Sequence, residues 1–280
     1  MTTTISAPVT SGRPATRAAI PQVSNHISFR QTVANSLTMA YRGILKIKHN
    51  PEQLFDVTLQ PILFTALFTY IFGGAIAGNV HAYLPILIPG IMVQTVVMCS
   101  VVTGTQLRED MDKGVFDRFK SLPIARISAL SGALIADMVR YGIATTLTIV
   151  MGLILGYRPH GGVVGVVVAG LVIVFCSFAV SWIWALVGVT GKSASSVQGI
   201  SMMIMFPLTF LSGAFVQVRT MPGWMQGLNK ANPVYYMVNS SRELMNGNVY
   251  SGNLAWCLIG SVVVIVIFAP LAIRAYMRRA

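Results

Sequence analysis

Six apolar stretches, each about 20 residues long, decide what this chain can become. They lie near 57–77, 83–106, 129–155, 163–189, 195–217 and 254–273. The bilayer core holds no water for backbone N–H and C=O groups, so a spanning segment is an apolar helix or a strand of a closed barrel. Barrel strands alternate apolar and polar residues, and these stretches do not. The chain reads as all-α integral membrane protein with six transmembrane helices. Composition agrees, since 54% of the 280 residues are hydrophobic and only 10% are charged. A soluble domain carries about 25% charged residues, so a soluble enzyme is excluded. Pro85 and Pro89 in the second span and Pro207 in the Met-rich fifth predict kinks, tolerated where neighbours satisfy the freed carbonyls.

The net charge of +12 is placed for a membrane, not for nucleic acid. Fifteen of the twenty Lys and Arg fall in the segments on the side of the two termini. The opposite side holds Arg158, Arg219, Lys230 and Arg242, while Arg140 lies within a span. Cytoplasmic loops carry the excess of Lys and Arg, so both termini are assigned to the cytoplasm. Residues 1–25, rich in Thr, Ser, Ala, Pro and Arg and lacking a signal-peptide core, read as a disordered cytoplasmic tail.

Residues 26–53 carry a helical pattern, with Val33, Leu37, Ala40, Tyr41, Ile44 and Ile47 on one face and Gln31, Asn35, Thr38, Arg42, Lys46 and His49 on the other. Such a basic amphipathic helix suits the membrane interface, or the surface of a partner protein. The transmembrane domain then occupies 54–280. Its cytoplasmic loop, 107–128, mixes cations with Glu109, Asp110, Asp112 and Asp117. Its outer segment, 219–253, is too apolar for a solvated loop, with Trp224, Tyr235 and Tyr236 suited to the headgroup level. It reads as short helices dipping into the outer leaflet, bounded by Pro222 and Pro233.

Catalytic chemistry is missing from the pattern. There is no metal-binding His-Glu-x-x-His, no Cys-x-x-Cys and no nucleophile elbow, so no catalytic residue and no metal ligand is assigned. Cys99, Cys176 and Cys257 each sit in an apolar stretch and read as small buried hydrophobes. Gly191-Lys192-Ser193 lacks the first glycine of a phosphate-binding loop, Leu186 standing there. Asp137 and Arg140 form the one intramembrane charged pair, spaced i, i+3 on one helix face. Two readings stand for it: an ion-relay site, or a mutually neutralised pair with Arg140 snorkelling to the interface. Gly165/Ala169 and Ser195/Gly199 have the spacing that lets helices approach closely.

Two stretches carry a resemblance. One is Arg108-Glu-Asp-Met-Asp-Lys-Gly114-Val-Phe-Asp-Arg-Phe119-Lys-Ser-Leu-Pro123, and the other is Asn232-Pro233-Val-Tyr-Tyr236 followed by Arg242 and Gly247. In a layout of interfacial helix, six spans, charged loop and semi-apolar outer segment, they resemble the type-2 ATP-binding-cassette exporter permeases, and among them the daunorubicin-resistance subgroup. The likeness spans about residues 30–275. It implies a multi-pass subunit of the bacterial plasma membrane, paired with a second permease copy or a sister permease. Two copies of a separate cytosolic ATPase subunit would bind ATP and Mg, so this chain needs no cofactor. The resemblance also implies a coupling helix over Asp112–Ser121 that docks on the ATPase, with Asp112, Gly114, Phe116, Phe119 and Pro123 at the matching positions. Asn232, Pro233, Tyr235, Tyr236 and Arg242 form the outer motif.

The expected action is outward movement of an amphiphilic drug, antibiotic or lipid by alternating access. Gln94, Met98, Met203, Phe206, Phe210 and Phe215 are candidates for the pathway wall, because Met and Phe adapt to varied apolar cargo. Export of a glycan or lipid-linked saccharide by the same superfamily, and an ion-coupled carrier acting alone, are the alternatives.

Overall fold

The computed structural model of the chain describes residues 29–49, 51–114, 126–248 and 252–279. Among these there is no strand; the elements are α1 (Phe29–His49), α2 (Pro51–Ala77), α3 (Val80–Asp112), α4 (Arg126–Ile154), α5 (Gly162–Thr190), α6 (Ala194–Leu211), a 3-10 turn (Val218–Thr220), α7 (Gly223–Asn229), α8 (Pro233–Met245) and α9 (Gly252–Arg279). Six of them, α2 to α6 and α9, are long and apolar enough to cross a membrane.

The bundle is organised around α3. Its apolar residues are spread around the whole helix, a pattern that demands burial on every side. Tyr83, Leu84, Leu87, Ile88, Ile91, Met92, Val96 and Val97 are all buried, enclosed by α2, α4, α5, α6 and α8. Asn79 starts the helix by accepting the Ala82 N–H at 2.7 Å. At 33 residues it is about 50 Å long, well beyond the roughly 30 Å apolar core of a bilayer. Its last turns are therefore charged. The apolar pattern predicts an end near 106, yet the helix runs on to Asp112, supported by the i, i+4 pairs Arg108–Asp112 and Lys113–Glu109. Gly114, at φ +65°, then turns the chain away.

Glycine decides how near the neighbours come. A side chain at Gly104 would meet the Trp184 carbonyl at 2.5 Å, and one at Gly188 would meet the Gly104 carbonyl at 2.3 Å. The α3 and α5 backbones thus touch at these two positions. Of the two small-residue spacings in the sequence, Gly165 meets the Leu244 carbonyl of α8 in this way. Gly199 faces open space.

α1 packs along α4 through its small residues. Ser36 and Ala40 are buried, with Gly43 against Ala136, Met39 against Gly132 and Ser36 Oγ 2.8 Å from Ser131 Oγ. Leu37 and Tyr41 point outward. Small residues win the contact because they let the two backbones approach.

The fifth apolar stretch also ends sooner than its pattern predicts. Ser193 opens α6 with a capping box. The helix stops at Leu211, since the chain turns at Gly213, φ +80°, and Ala214 and Phe215 fold back into the core.

All three cysteines are buried and none is in a disulfide among the described residues, but two of them meet: Cys176 Sγ of α5 and Cys257 Sγ of α9 are 3.2 Å apart. Diamide treatment of a Cys99→Ser variant should join Cys176 to Cys257 within one chain, the linked peptides weighing two hydrogens less than the separate thiols. Recovery of both thiols unlinked would contradict the α5–α9 packing.

Candidate functional site

Polar side chains gather at two levels of α3, one near its Val80 end and one near its Asp112 end. At the first, α8 supplies the donors. Asn232 caps α8 through Val234 N–H at 3.0 Å, and Pro233 follows at the first helical position, where its missing N–H costs nothing. The same Asn232 side chain donates from Nδ2 to the Leu208 carbonyl at 2.7 Å. That carbonyl sits in the last turn of α6, where the Ser212 N–H bonds Thr209 instead, so Asn232 satisfies an end that helix geometry leaves open.

Arg242, one face further along α8, does more. Its Nη2 reaches the Ile86 carbonyl of α3 at 2.8 Å, the Gly213 carbonyl at 2.6 Å and the Ala214 carbonyl at 3.3 Å, while Nε also bonds Ile86 at 3.2 Å. Tyr83 adds a hydrogen bond from its hydroxyl to the Phe215 carbonyl at 2.8 Å. Gly90 makes room for all of this, because a side chain there would run into the Ala214 backbone. Burial lowers the Arg242 guanidinium to about 10, opposed by the nearby Tyr83 and Tyr235 hydroxyls, and it stays charged at neutral pH. Tyr235 and Tyr236 meet edge to face beside the motif, and Tyr236 donates to the Lys230 carbonyl at 2.8 Å.

At the second level, Asp137 and Arg140 are joined at 3.0 Å. Arg140 does not snorkel. It is only 2% exposed, and Asp137 only 5%. Thr103 of α3 donates to Asp137 Oδ2 at 2.6 Å and lies 3.1 Å from the Tyr141 hydroxyl, and Arg140 reaches Gln106 of α3 at 3.5 Å. The pair is enclosed because α3 supplies partners for Asp137 Oδ2 and Arg140 Nη1 across the contact, while Arg140 Nε finds none among the described residues. It clamps α3 to α4, the two helices on either side of the 115–125 segment. Nearby, Arg108 donates to the Gly191 carbonyl at 3.0 Å, tying the last turns of α3 to the α5–α6 connection. Of the five docking candidates, Asp112 and Gly114 close α3; Phe116, Phe119 and Pro123 lie outside the described residues.

The six pathway candidates divide. Gln94 and Met98 are on α3 inside the bundle, where the buried Gln94 Oε1 finds no partner among the described residues. Met203, Phe206 and Phe210 stand on the exposed face of α6. Phe206 stacks on Phe210 at 4.4 Å, Phe210 lies 5.1 Å from Phe215, and Phe215 stacks on Phe68 of α2 at 4.4 Å. Phe64 and Phe72 extend this ladder along α2. Those three α2 residues were not foreseen, although their i, i+4, i+8 spacing is a visible signal.

The family model described as ABC-2 type transporter matches residues 35–246. The chain belongs to the ABC-2 type transporter family. It is 44% identical over 247 residues to the daunorubicin resistance ABC transporter permease protein DrrB1 of Streptomyces coeruleorubidus, covering 88% of this chain and 87% of that protein. It is 23% identical to the probable doxorubicin resistance ABC transporter permease protein DrrC of Mycobacterium tuberculosis (strain H37Rv), over 87% of this chain and 89% of that one. The inner membrane transport permease YadH of Escherichia coli K12 is 26% identical over 66% of this chain and 73% of its own. This chain is thus an ABC-2 permease subunit and a multi-pass membrane protein. Its Asn-Pro block is the element whose purpose the geometry explains: it closes the broken end of α6.

Replacing Arg242 by Met strips donors from buried carbonyls, each hydrogen bond to a charged group being worth about 1.5–3 kcal/mol. Arg242→Met should lower the melting temperature in detergent clearly, and Arg242→Lys should not restore it, since an ammonium lacks the planar fork that spans three acceptors. Melting equal to that of the unaltered chain in either variant would contradict the assigned role.

Proposed function

We propose that this chain is the membrane-spanning subunit of an ATP-driven exporter of the bacterial plasma membrane, moving an amphiphilic drug, antibiotic or lipid outward. Both termini face the cytoplasm. A separate cytosolic ATPase, in two copies, binds ATP and Mg and docks on the segment after α3; a second permease copy, or a sister permease, completes the channel. The names of the relatives, taken from daunorubicin and doxorubicin resistance, support an aromatic, amphiphilic cargo.

The observation that carries the mechanism is the buried clamp of Thr103, Gln106, Asp137, Arg140 and Tyr141. It makes α3 and α4 move together on either side of the docking segment. A push at that segment is then passed along α3, whose other end is held by Arg242 to α8 and to the end of α6. ATP binding biases an equilibrium between inward- and outward-open arrangements through differential contacts in the two states. Asp137 is held by Arg140 and Thr103, which suits a mechanical joint better than an ion relay. The exposed aromatic face shared by α2 and α6, with Phe206 and Phe210 at its centre, suits a pathway wall between two copies, where planar apolar cargo meets stacked rings.

Phe116 and Phe119 sit i, i+3 in the docking segment, the spacing of a two-residue anchor. Phe119→Asp in the chain co-reconstituted with its ATPase should abolish ATP-dependent export of daunorubicin while leaving the permease in the membrane. Export at the unaltered rate would overturn the docking assignment.

A further inference from the structure

A cavity of about 410 Å3 lies between α5, α8 and α9. Ala179 and Val180 of α5 and Met237, Cys257 and Val264 form its apolar wall, and Lys230 stands at its edge. Its volume falls within the range of ligand pockets, about 300–1,000 Å3. The opening is lateral. Trp256 is 63% exposed, and a methyl group added at Gly260 would meet nothing within 4 Å.

The depth of the opening follows from helix geometry. α9 begins at Gly252, so the stretch from Trp256 to Val264 lies about 6–18 Å along it, at 1.5 Å per residue. Lys230 lines the same space. It belongs to the turn between α7 and α8, which the Tyr236 hydroxyl fixes through the Lys230 carbonyl. Among the described residues no carboxylate pairs with the Lys230 ammonium. Glu243, the acid of α8, is taken by Asn253 at 2.8 Å. Lys230 is exposed at the edge of the cavity, so its ammonium stands open to an incoming counter-charge. A cation at one edge, a Trp beside it and a long apolar wall beneath are complementary to an anionic head on an acyl chain.

We propose that this cavity binds an anionic phospholipid, its phosphate on Lys230 and its chain along Trp256, Gly260 and Val264. The chemistry of the ligand follows from the cavity itself; only its assignment to the outer leaflet rests on the orientation given under Proposed function. The bound lipid occupies the space under α8 on the side away from Arg242, so α8 is held from both sides, by carbonyls on one and by a lipid on the other. The site is distinct from the aromatic face of α2 and α6 and does not require cargo or ATPase.

The test uses the full chain in phosphatidylcholine nanodiscs carrying a trace of phosphatidylglycerol with a photoactivatable acyl chain. After illumination and digestion, labelled peptides are located by mass spectrometry. Label should concentrate on the peptides containing 230–237 and 256–264, and unlabelled phosphatidylglycerol should suppress it, whereas added phosphatidylcholine should not. Lys230→Ala should cut that labelling about tenfold, the equivalent of about 1.4 kcal/mol in affinity, and Lys230→Arg should retain it. Gly260→Leu fills the opening, meets no atom at its Cβ and favours the helix, so it should abolish labelling with an unchanged melting temperature. Label spread evenly over lipid-facing helices, equal labelling by a phosphatidylcholine probe, or indifference to both Lys230→Ala and Gly260→Leu would each overturn the proposal.

Discussion

One guanidinium holds together the part of this structure that a membrane makes hardest to build. Where a helix breaks inside a bilayer, its carbonyls have no water to turn to. Here α6 stops at Leu211 and the chain folds back through Gly213, Ala214 and Phe215. Arg242 satisfies Gly213 and Ala214 together with Ile86 of α3, Asn232 satisfies Leu208, and Tyr83 satisfies Phe215. The break, the α7–α8 segment and the tight seat of Gly90 exist because these donors are present. A planar fork of N–H donors is the side chain best suited to three acceptors at once.

The same helix α3 reaches from this knot to the charged turns at Asp112. Ile86 and Asp112 lie about 40 Å apart along one helix, at 1.5 Å per residue. Between them the Thr103–Asp137–Arg140 cluster binds α4 to α3, and Gly104 and Gly188 bring α5 into backbone contact. Coupling between distant sites needs elements with two discrete arrangements, and a stiff central helix gripped at both ends is well suited to pass displacement between them.

Much of this was legible in the residues. Long apolar runs mark the spans because lipid demands them. The Asn232-Pro233 pair marks a helix start because proline at the first helical position is a local signal, and Pro222 stands immediately before α7. What escaped depended on partners distant in sequence. Gly90, Gly104 and Gly188 look like any of the 25 glycines in the chain until the opposing backbone is in place. Arg140 lies fully buried and does not reach for the interface, because Gln106 and the Asp137–Thr103 pair, contributed by two helices, surround it. α1 buries Ser36 and Ala40 against α4 and leaves Leu37 and Tyr41 exposed, because close backbone approach decides that contact and the sequence does not show where it falls. Cys176 and Cys257 share no motif, and only the α5–α9 contact brings them together.

The central claim is that this permease works with a separate motor. The measurement that tests it most directly is purification of the tagged chain in mild detergent, after co-expression with its genomic neighbours, with mass spectrometry of what comes with it. The account predicts a stoichiometric soluble protein bearing a phosphate-binding loop, whose retention is lost when the Asp112–Ser121 segment is replaced by a Gly-Ser linker. Recovery of the chain alone, or unchanged retention of that protein by the linker variant, would contradict it.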